Sequence, residues 1–192
     1  MRRNRYFLMR HGESVANLAD RIVSLPENGL NDFGLSDLGR QQAREQARAS
    51  GLGADARIVA SDFLRTRQTA EIAAAALGVA KVELDPSLRE RAFGSLEGES
   101  GDDYKRVWAE DEIDPEHTLF GVESARRLAE RLASVVERLE NEQQGQTFLL
   151  VSHGDPLRFL QLQAAALPLT DHLKVRLFSP AEVRRLEDLP EL

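Results

Sequence analysis

Two apolar runs in this chain each end in a histidine followed by glycine. Tyr6-Phe7-Leu8-Met9 leads into Arg10, His11, Gly12, Glu13 and Ser14, and Thr147-Phe148-Leu149-Leu150-Val151-Ser152 leads into His153, Gly154, Asp155 and Pro156. Arginine offers a rigid fork of donors that matches a phosphate, and histidine near neutral pH is either a neutral nucleophile or a proton carrier. Gly12 lets the backbone turn or another backbone approach closely. Taken alone, Arg10-His11-Gly12 is equally a strand end capped by solvated charges. Between the two runs, Arg65 follows Ser61 by four residues and Glu90 lies in LRERAFGSLEG. Two histidines, two arginines and one carboxylate thus stand at the ends of apolar runs or in the loops between them. Each has a plainer alternative. Arg65 and Arg67 at a helix start are compatible with a solvated face, and Glu90 between Arg89 and Arg91 is compatible with a surface ion pair worth little. Arg91 itself either grips substrate or is exposed.

The elements that would position these groups are legible from periodicity. An apolar run that stops at charge and glycine reads as a buried strand whose carboxyl end opens into a crevice, where α/β proteins bind ligands. Ser36 is placed to cap a helix over 37–49 that Gly51 and Gly53 end, and 57–61 reads as a second buried strand. An alanine-rich helix over 62–77 stops at Gly78, and 81–84 alternates as a third strand before the Asp85-Pro86 turn. Ala125, Leu128, Ala129, Leu132, Val135, Val136 and Leu139 recur at helical steps and mark a long amphipathic helix closed by Gly145. Pro156 suits the first turn of the helix after 147–152, and 181–186 reads as a short edge strand. Segment 99–120 is acidic, carries Tyr104, Trp108 and His117, and fits neither period. It is expected to be a partly helical cap insertion over the carboxyl edge of the sheet. The alternation predicts an α/β fold: a three-layer α/β/α sandwich with a mostly parallel central sheet, in a single domain over 1–192 without repeat or linker.

Composition narrows the function. With 192 residues, 42% of them hydrophobic, the chain is long enough to bury a proper core. Its apolar runs fall short of the ~20 residues of a membrane helix, and the start lacks the pattern of a signal peptide. A net charge of −7 disfavours nucleic acid and anionic membranes as partners. Absence of cysteine rules out disulfides, thiol catalysis and cysteine-based zinc sites, so a cytoplasmic location is the expectation. All but three of the 25 basic residues are arginine, the exceptions being Lys81, Lys105 and Lys174.

At this point the chain resembles the histidine phosphatase superfamily, in its phosphoglycerate mutase-like branch. RHGESVAN (10–17), LSDLGRQQA (35–43), SDFLRTRQTA (61–70), LRERAFGSLEG (88–98), GVES (121–124) and VSHGDPLR (151–158) stand in that family's order and spacing. The resemblance implies a phosphoglycerate mutase-like fold and a two-step transfer through a phosphohistidine, with no metal and no other cofactor. His11 would be the nucleophile, Glu90 the proton donor and later the base, and Arg10, Arg65, Asn17 and His153 would hold the phosphoryl group. Gly12 and Ser61 would keep the nucleophile in place, with Gly154 beside His153. The implied function is a phosphomonoester phosphatase acting on a small phosphorylated metabolite. The alternatives are a phosphoglycerate mutase and a non-catalytic phosphoester-binding domain.

Three features favour hydrolysis. The insertion holds only Lys105 and Arg106 against many acids, the tail after the second histidine's helix is short, and Asp155 stands where the family's mutases usually have asparagine. Trp108 and Tyr104 are expected in the core rather than against a sugar or ring. His117 and His172 have no partner at ligand spacing and read as ordinary surface or loop histidines. The Gly51-Leu52-Gly53 stretch follows no strand, and no P-loop pattern is present, so dehydrogenase and kinase readings have no support. Oligomeric state is left open.

Overall fold

The computed structural model describes residues 2–188. In chain order it places β1 (Arg5–Arg10), the one-turn helices α1 (Val15–Leu18) and α2 (Pro26–Gly29), α3 (Asp37–Ala49), β2 (Arg57–Ala60), α4 (Leu64–Leu77) and β3 (Val82–Leu84). Then follow α5 (Tyr104–Asp111), α6 (Ala125–Glu142), β4 (Thr147–Ser152), α7 (Gly154–Ala164) and β5 (Val183–Arg185). The sheet order is β3-β2-β4-β1-β5, parallel except for β5, which pairs antiparallel with β1 at the edge. This is the expected three-layer sandwich with its short final edge strand.

Strand periodicity explains the two layers of helices. β4 is buried at all six positions because it lies between β1 and β2 with helices on both faces. Tyr6, Leu8, Val59, Phe148 and Leu150 point to one face and pack on Leu128, Leu132, Val135 and Leu139 of α6 and Leu157 and Leu160 of α7. The intervening Met9, Ile58, Ala60, Leu149 and Val151 point to the other and meet Ala43 and Ala47 of α3 and Ala70, Ala73 and Ala74 of α4. Small side chains on α3 and α4 let those helices lie close together and close to the sheet.

Caps fix where the elements stop. Ser36 accepts from the Gly39 N–H and Ser124 from the Arg127 N–H, so α3 and α6 begin at capped serines. Gly78 takes the left-handed conformation (φ 77°) that ends α4, as its position after the alanine run predicts. The sequence expectation errs by two residues at the other end of α4. Phe63 is the extended residue before the helix, and Ser61 and Asp62 belong to the loop that delivers it. No helix among the described residues is long and apolar enough to cross a membrane.

β1 and β4 run side by side with Arg10 opposite Ser152. One step further, the His11 N–H donates to the Ser152 carbonyl at 3.0 Å, so the two histidines that end the two apolar runs emerge together at the carboxyl edge. Segment 99–120 places α5 over that edge, where Trp108 meets Asp155 of α7, and α5 is flanked by the tight turns Gly101–Asp103 and Leu119–Gly121.

Candidate active site

His11 is almost completely buried, and its imidazole meets that of His153 edge to face with centroids 5.3 Å apart. Its Nδ1 lies 2.8 Å from the Gly12 carbonyl. A carbonyl only accepts, so Nδ1 carries the hydrogen and Nε2 keeps its lone pair. Burial, and then the Arg65 and Arg10 guanidiniums, hold the His11 pKa well below the ordinary histidine range, with only the Gly12 carbonyl opposing. The ring is therefore neutral near pH 7. Arg65, from the first turn of α4, donates from Nε to that His11 Nε2 at 3.2 Å.

The two guanidiniums are fixed at their far ends and unmatched at their near ones. Arg10 donates from Nη1 to the Phe178 carbonyl at 2.7 Å, and Arg65 from Nη2 to the Val23 carbonyl at 2.8 Å. Arg10 Nε and Arg65 Nη1 are buried and have no hydrogen-bond partner among the described residues. Unmet donors on two buried cations beside a neutral imidazole make a prepared anion cradle. Asn17 borders the same pocket; its Oδ1 accepts from the Ser14 N–H and Oγ, which leaves Nδ2 as the uncommitted end.

Glu90 reaches the pocket from the irregular segment after β3. Arg131 of α6 braces that segment by donating to the carbonyls of Ser87, Arg89 and Glu90. The Glu90 side chain accepts the Arg91 N–H at 2.9 Å. Burial first, then the nearby Asp155 carboxylate, push its pKa up to about 7, against the pull of Arg65, the Arg91 N–H and Arg10. Glu90 is thus no surface ion pair; Arg89 pairs instead with Asp62, at 2.6 and 2.7 Å. A carboxyl that titrates near neutrality suits both donation and removal of a proton at one pH.

His153 is fully buried, and burial followed by Arg65 and His11 keeps it neutral too. Its Nε2 lies 2.9 Å from Ser61 Oγ, and its Nδ1 has no partner among the described residues. Ser61 therefore positions His153, whereas the sequence reading had it holding His11. At Gly12, next to His11, a Cβ would fall 2.3 Å from the Gly39 carbonyl oxygen of α3, so only glycine allows that approach. The Gly12 N–H also donates to Thr69 Oγ1 at 3.1 Å. Gly154 opens α7 on the pocket wall.

Several sequence expectations are corrected here. Arg91 neither grips substrate nor is exposed: it is completely buried and paired twice with Asp111, at 2.5 and 2.9 Å. His117 sits in a loop as expected, but neither it nor His172 lies at the surface. His117 Nε2 lies 2.9 Å from Asp111 Oδ1, while His172 is fully buried, stacked on Phe159 and 3.2 Å from Arg158 Nη1. Tyr104 packs on the buried Phe93 as a core residue would, yet it and Trp108 also border the pocket as a stacked pair 5.6 Å apart. Arg67 is half-buried and does not border it. Asp20, Arg21 and Leu177 do, and no periodicity or spacing marked them.

The Arg91–Asp111 pair ties the covering helix α5 to the residue next to Glu90. Asp111→Ala is expected to cost about 3–5 kcal/mol, because it leaves the Arg91 charge buried without its partner. A urea denaturation midpoint reads this directly, and a loss below about 1 kcal/mol would show that the pair does not anchor α5.

Comparison with known proteins adds to this geometry. The family model of the histidine phosphatase superfamily (branch 1) matches residues 6–189. A probable phosphoglycerate mutase GpmB of Photorhabdus laumondii is 35% identical over 176 residues, covering 89% of this chain and 79% of the relative. Its Escherichia fergusonii counterpart is 36% identical over 177 residues with the same coverage. Among solved structures, a mycobacterial glucosyl-3-phosphoglycerate phosphatase superposes with a TM-score of 0.77 at 26% identity, over 94% of this chain and 88% of its own.

Proposed function

This chain belongs to the histidine phosphatase superfamily, and from that premise we propose that it is a phosphomonoester hydrolase that carries the phosphoryl group of a small phosphorylated metabolite on His11 Nε2. One observation bears most of the weight: a neutral imidazole with its lone pair on the pocket side stands between two buried guanidiniums whose donors are unmet.

The reaction follows from those positions. A phosphoryl dianion takes up Arg10 Nε and Arg65 Nη1 and draws the Arg65 Nε–H away from His11 Nε2, which exposes the lone pair at the moment the phosphorus is in line. Nε2 forms the P–N bond as the ester P–O bond breaks, and the Glu90 proton passes to the leaving oxygen. Glu90, now a carboxylate, takes a proton from water; that water attacks phosphorus, the P–N bond breaks, and inorganic phosphate leaves with Glu90 protonated again. The guanidiniums match the equatorial charge throughout.

Hydrolysis is favoured over return of the phosphoryl group by what the cap offers the leaving group. Lys105 and Arg106, the cations of the insertion, pair with Asp102 and Asp103 on its outer side, at 2.6 and 2.8 Å. The inner side presents Tyr104, Trp108 and, beneath them, Asp155. Phosphoglycerate mutase is the second reading, favoured by the names of the sequence relatives and by Arg21, a cation on the pocket rim. Incubation with 3-phosphoglycerate and with a panel of alkyl and sugar phosphates separates them. Release of inorganic phosphate is expected; interconversion of 2- and 3-phosphoglycerate without phosphate release would establish the mutase, and phosphoester binding with neither activity a binding domain.

A further inference from the structure

Three carboxyl groups border the pocket: Asp20 lies exposed at its rim, and the two buried ones, Glu90 and Asp155, differ in their surroundings. Glu90's side chain accepts one backbone N–H and makes no ion pair among the described residues. Asp155, in the first turn of α7, accepts the Trp108 Nε1–H at 3.0 Å through Oδ2, and it has the guanidiniums of Arg158 at 3.8 Å and Arg91 at 4.0 Å. Arg158 in turn lies over the Trp108 ring, 4.6 Å from its centroid, and Tyr104 stacks on the same indole, whose N–H is aimed at Asp155. A negative charge placed there favours the protonated form of a carboxyl beside it.

We propose that Asp155 is a positioning residue of the reaction: held in place by Trp108, Arg158 and Arg91, it sets a negative charge beside Glu90 and keeps the proton there. The inference rests on the hydrolase reading, in which that proton is delivered to the leaving oxygen. It also gives the covering helix α5 a chemical part, because Trp108 reaches Asp155 only with α5 seated and the Arg91–Asp111 pair formed.

Charges from every neighbouring element act on the pair. Arg10 at the end of β1 and Arg65 on α4 pull Glu90 towards ionisation, and a bound phosphoryl dianion offsets that pull. Neutral His11 and His153 add no charge. Tyr104 of α5 stays neutral, its pKa raised by burial and by Glu90 itself. On the far side, Arg158 of α7, Asp111 of α5 and His172 form one linked set, with His172 held neutral mainly by burial. Arg131 of α6 meets only the Glu90 carbonyl. Among these groups Asp155 is the anion that favours a protonated Glu90.

The test is the pH profile of kcat/KM for glycerol phosphate, whose alkoxide needs the proton, beside that for p-nitrophenyl phosphate, whose phenolate does not. In Asp155→Asn, which keeps an oxygen for the Trp108 N–H, the alkaline limb for glycerol phosphate is expected to move about one pH unit towards acid. Activity would fall roughly tenfold at pH 8 and little at pH 5, while p-nitrophenyl phosphate is spared. Trp108→Phe, which removes one N–H donor but leaves the Asp155 charge in place, is expected not to move that limb towards acid. An unmoved limb in Asp155→Asn, an acid shift in Trp108→Phe as large as that in Asp155→Asn, or an equal loss at every pH and for both substrates, would overturn the role of Asp155. Release of inorganic phosphate by the unaltered protein, read in parallel, separates that outcome from failure of the hydrolase reading itself.

Discussion

His11→Ala is expected to lower turnover of alkyl phosphates by roughly four to six orders of magnitude, the scale seen when a covalent nucleophile is removed. The substitution deletes the atom that forms the P–N bond, and no other side chain on the pocket wall offers a neutral lone pair held in place in the same way: His153 is occupied by Ser61 on one nitrogen and fully buried. The cradle, by contrast, survives. Arg10 and Arg65 keep their anchors on Phe178 and Val23, and Arg65 Nε loses its acceptor on His11 and becomes a third free donor. Affinity for inorganic phosphate, measured by calorimetry, is therefore expected to be retained or improved in the dead variant. Activity within tenfold of the unaltered protein would refute covalent catalysis at His11.

Glu90→Gln is expected to lower kcat/KM for alkyl phosphates by about 10³-fold and for p-nitrophenyl phosphate by about tenfold or less, in line with the usual worth of general acid catalysis. Glutamine keeps the oxygen that accepts the Arg91 N–H, so the loop braced by Arg131 stays in place and the loss reports the proton alone. kcat/KM covers only the steps up to formation of the phosphoenzyme, which is where leaving-group acidity counts. The second step needs Glu90 as a base for either substrate. The variant should therefore show a burst of nitrophenol followed by slow turnover. In the unaltered protein the carboxyl, with a pKa of about 7, must be protonated for the first step and ionised for the second. Phosphorylation of the enzyme by alkyl esters accordingly falls as pH rises through 7, and its hydrolysis falls as pH drops below 7. Equal losses on both substrates would remove Glu90 from the acid role.

The strand ends were readable because two apolar runs of the right length each stop abruptly at histidine and glycine, and parallel pairing in register then brings His11 and His153 together. Arg65 and Glu90 were readable as members of motifs, and the geometry gives each an independent physical reason. Less legible was everything that a buried charge does when its partner lies elsewhere in the chain. In a sequence so rich in arginine, nothing local distinguishes Arg91, which is fully buried, from Arg89, which pairs with Asp62 beside the solvent. Asp111 is 20 residues from Arg91, and His172 reaches the same set from the turn after α7, so no window of helical or strand period could contain them. Trp108 was misjudged for a related reason. Its size and apolarity point to a core, and only the position of Asp155 turns its N–H into part of the pocket.

The most direct test of the whole account is to mix the protein with a phosphorus-labelled phosphoester, quench within the first turnover in alkali, where phosphohistidine persists, and locate the label by peptide mapping. The account predicts stoichiometric label on His11, absent from His11→Ala and accumulating in Glu90→Gln with an aryl ester. Active enzyme that carries no label during turnover, or carries it on another residue, would contradict it.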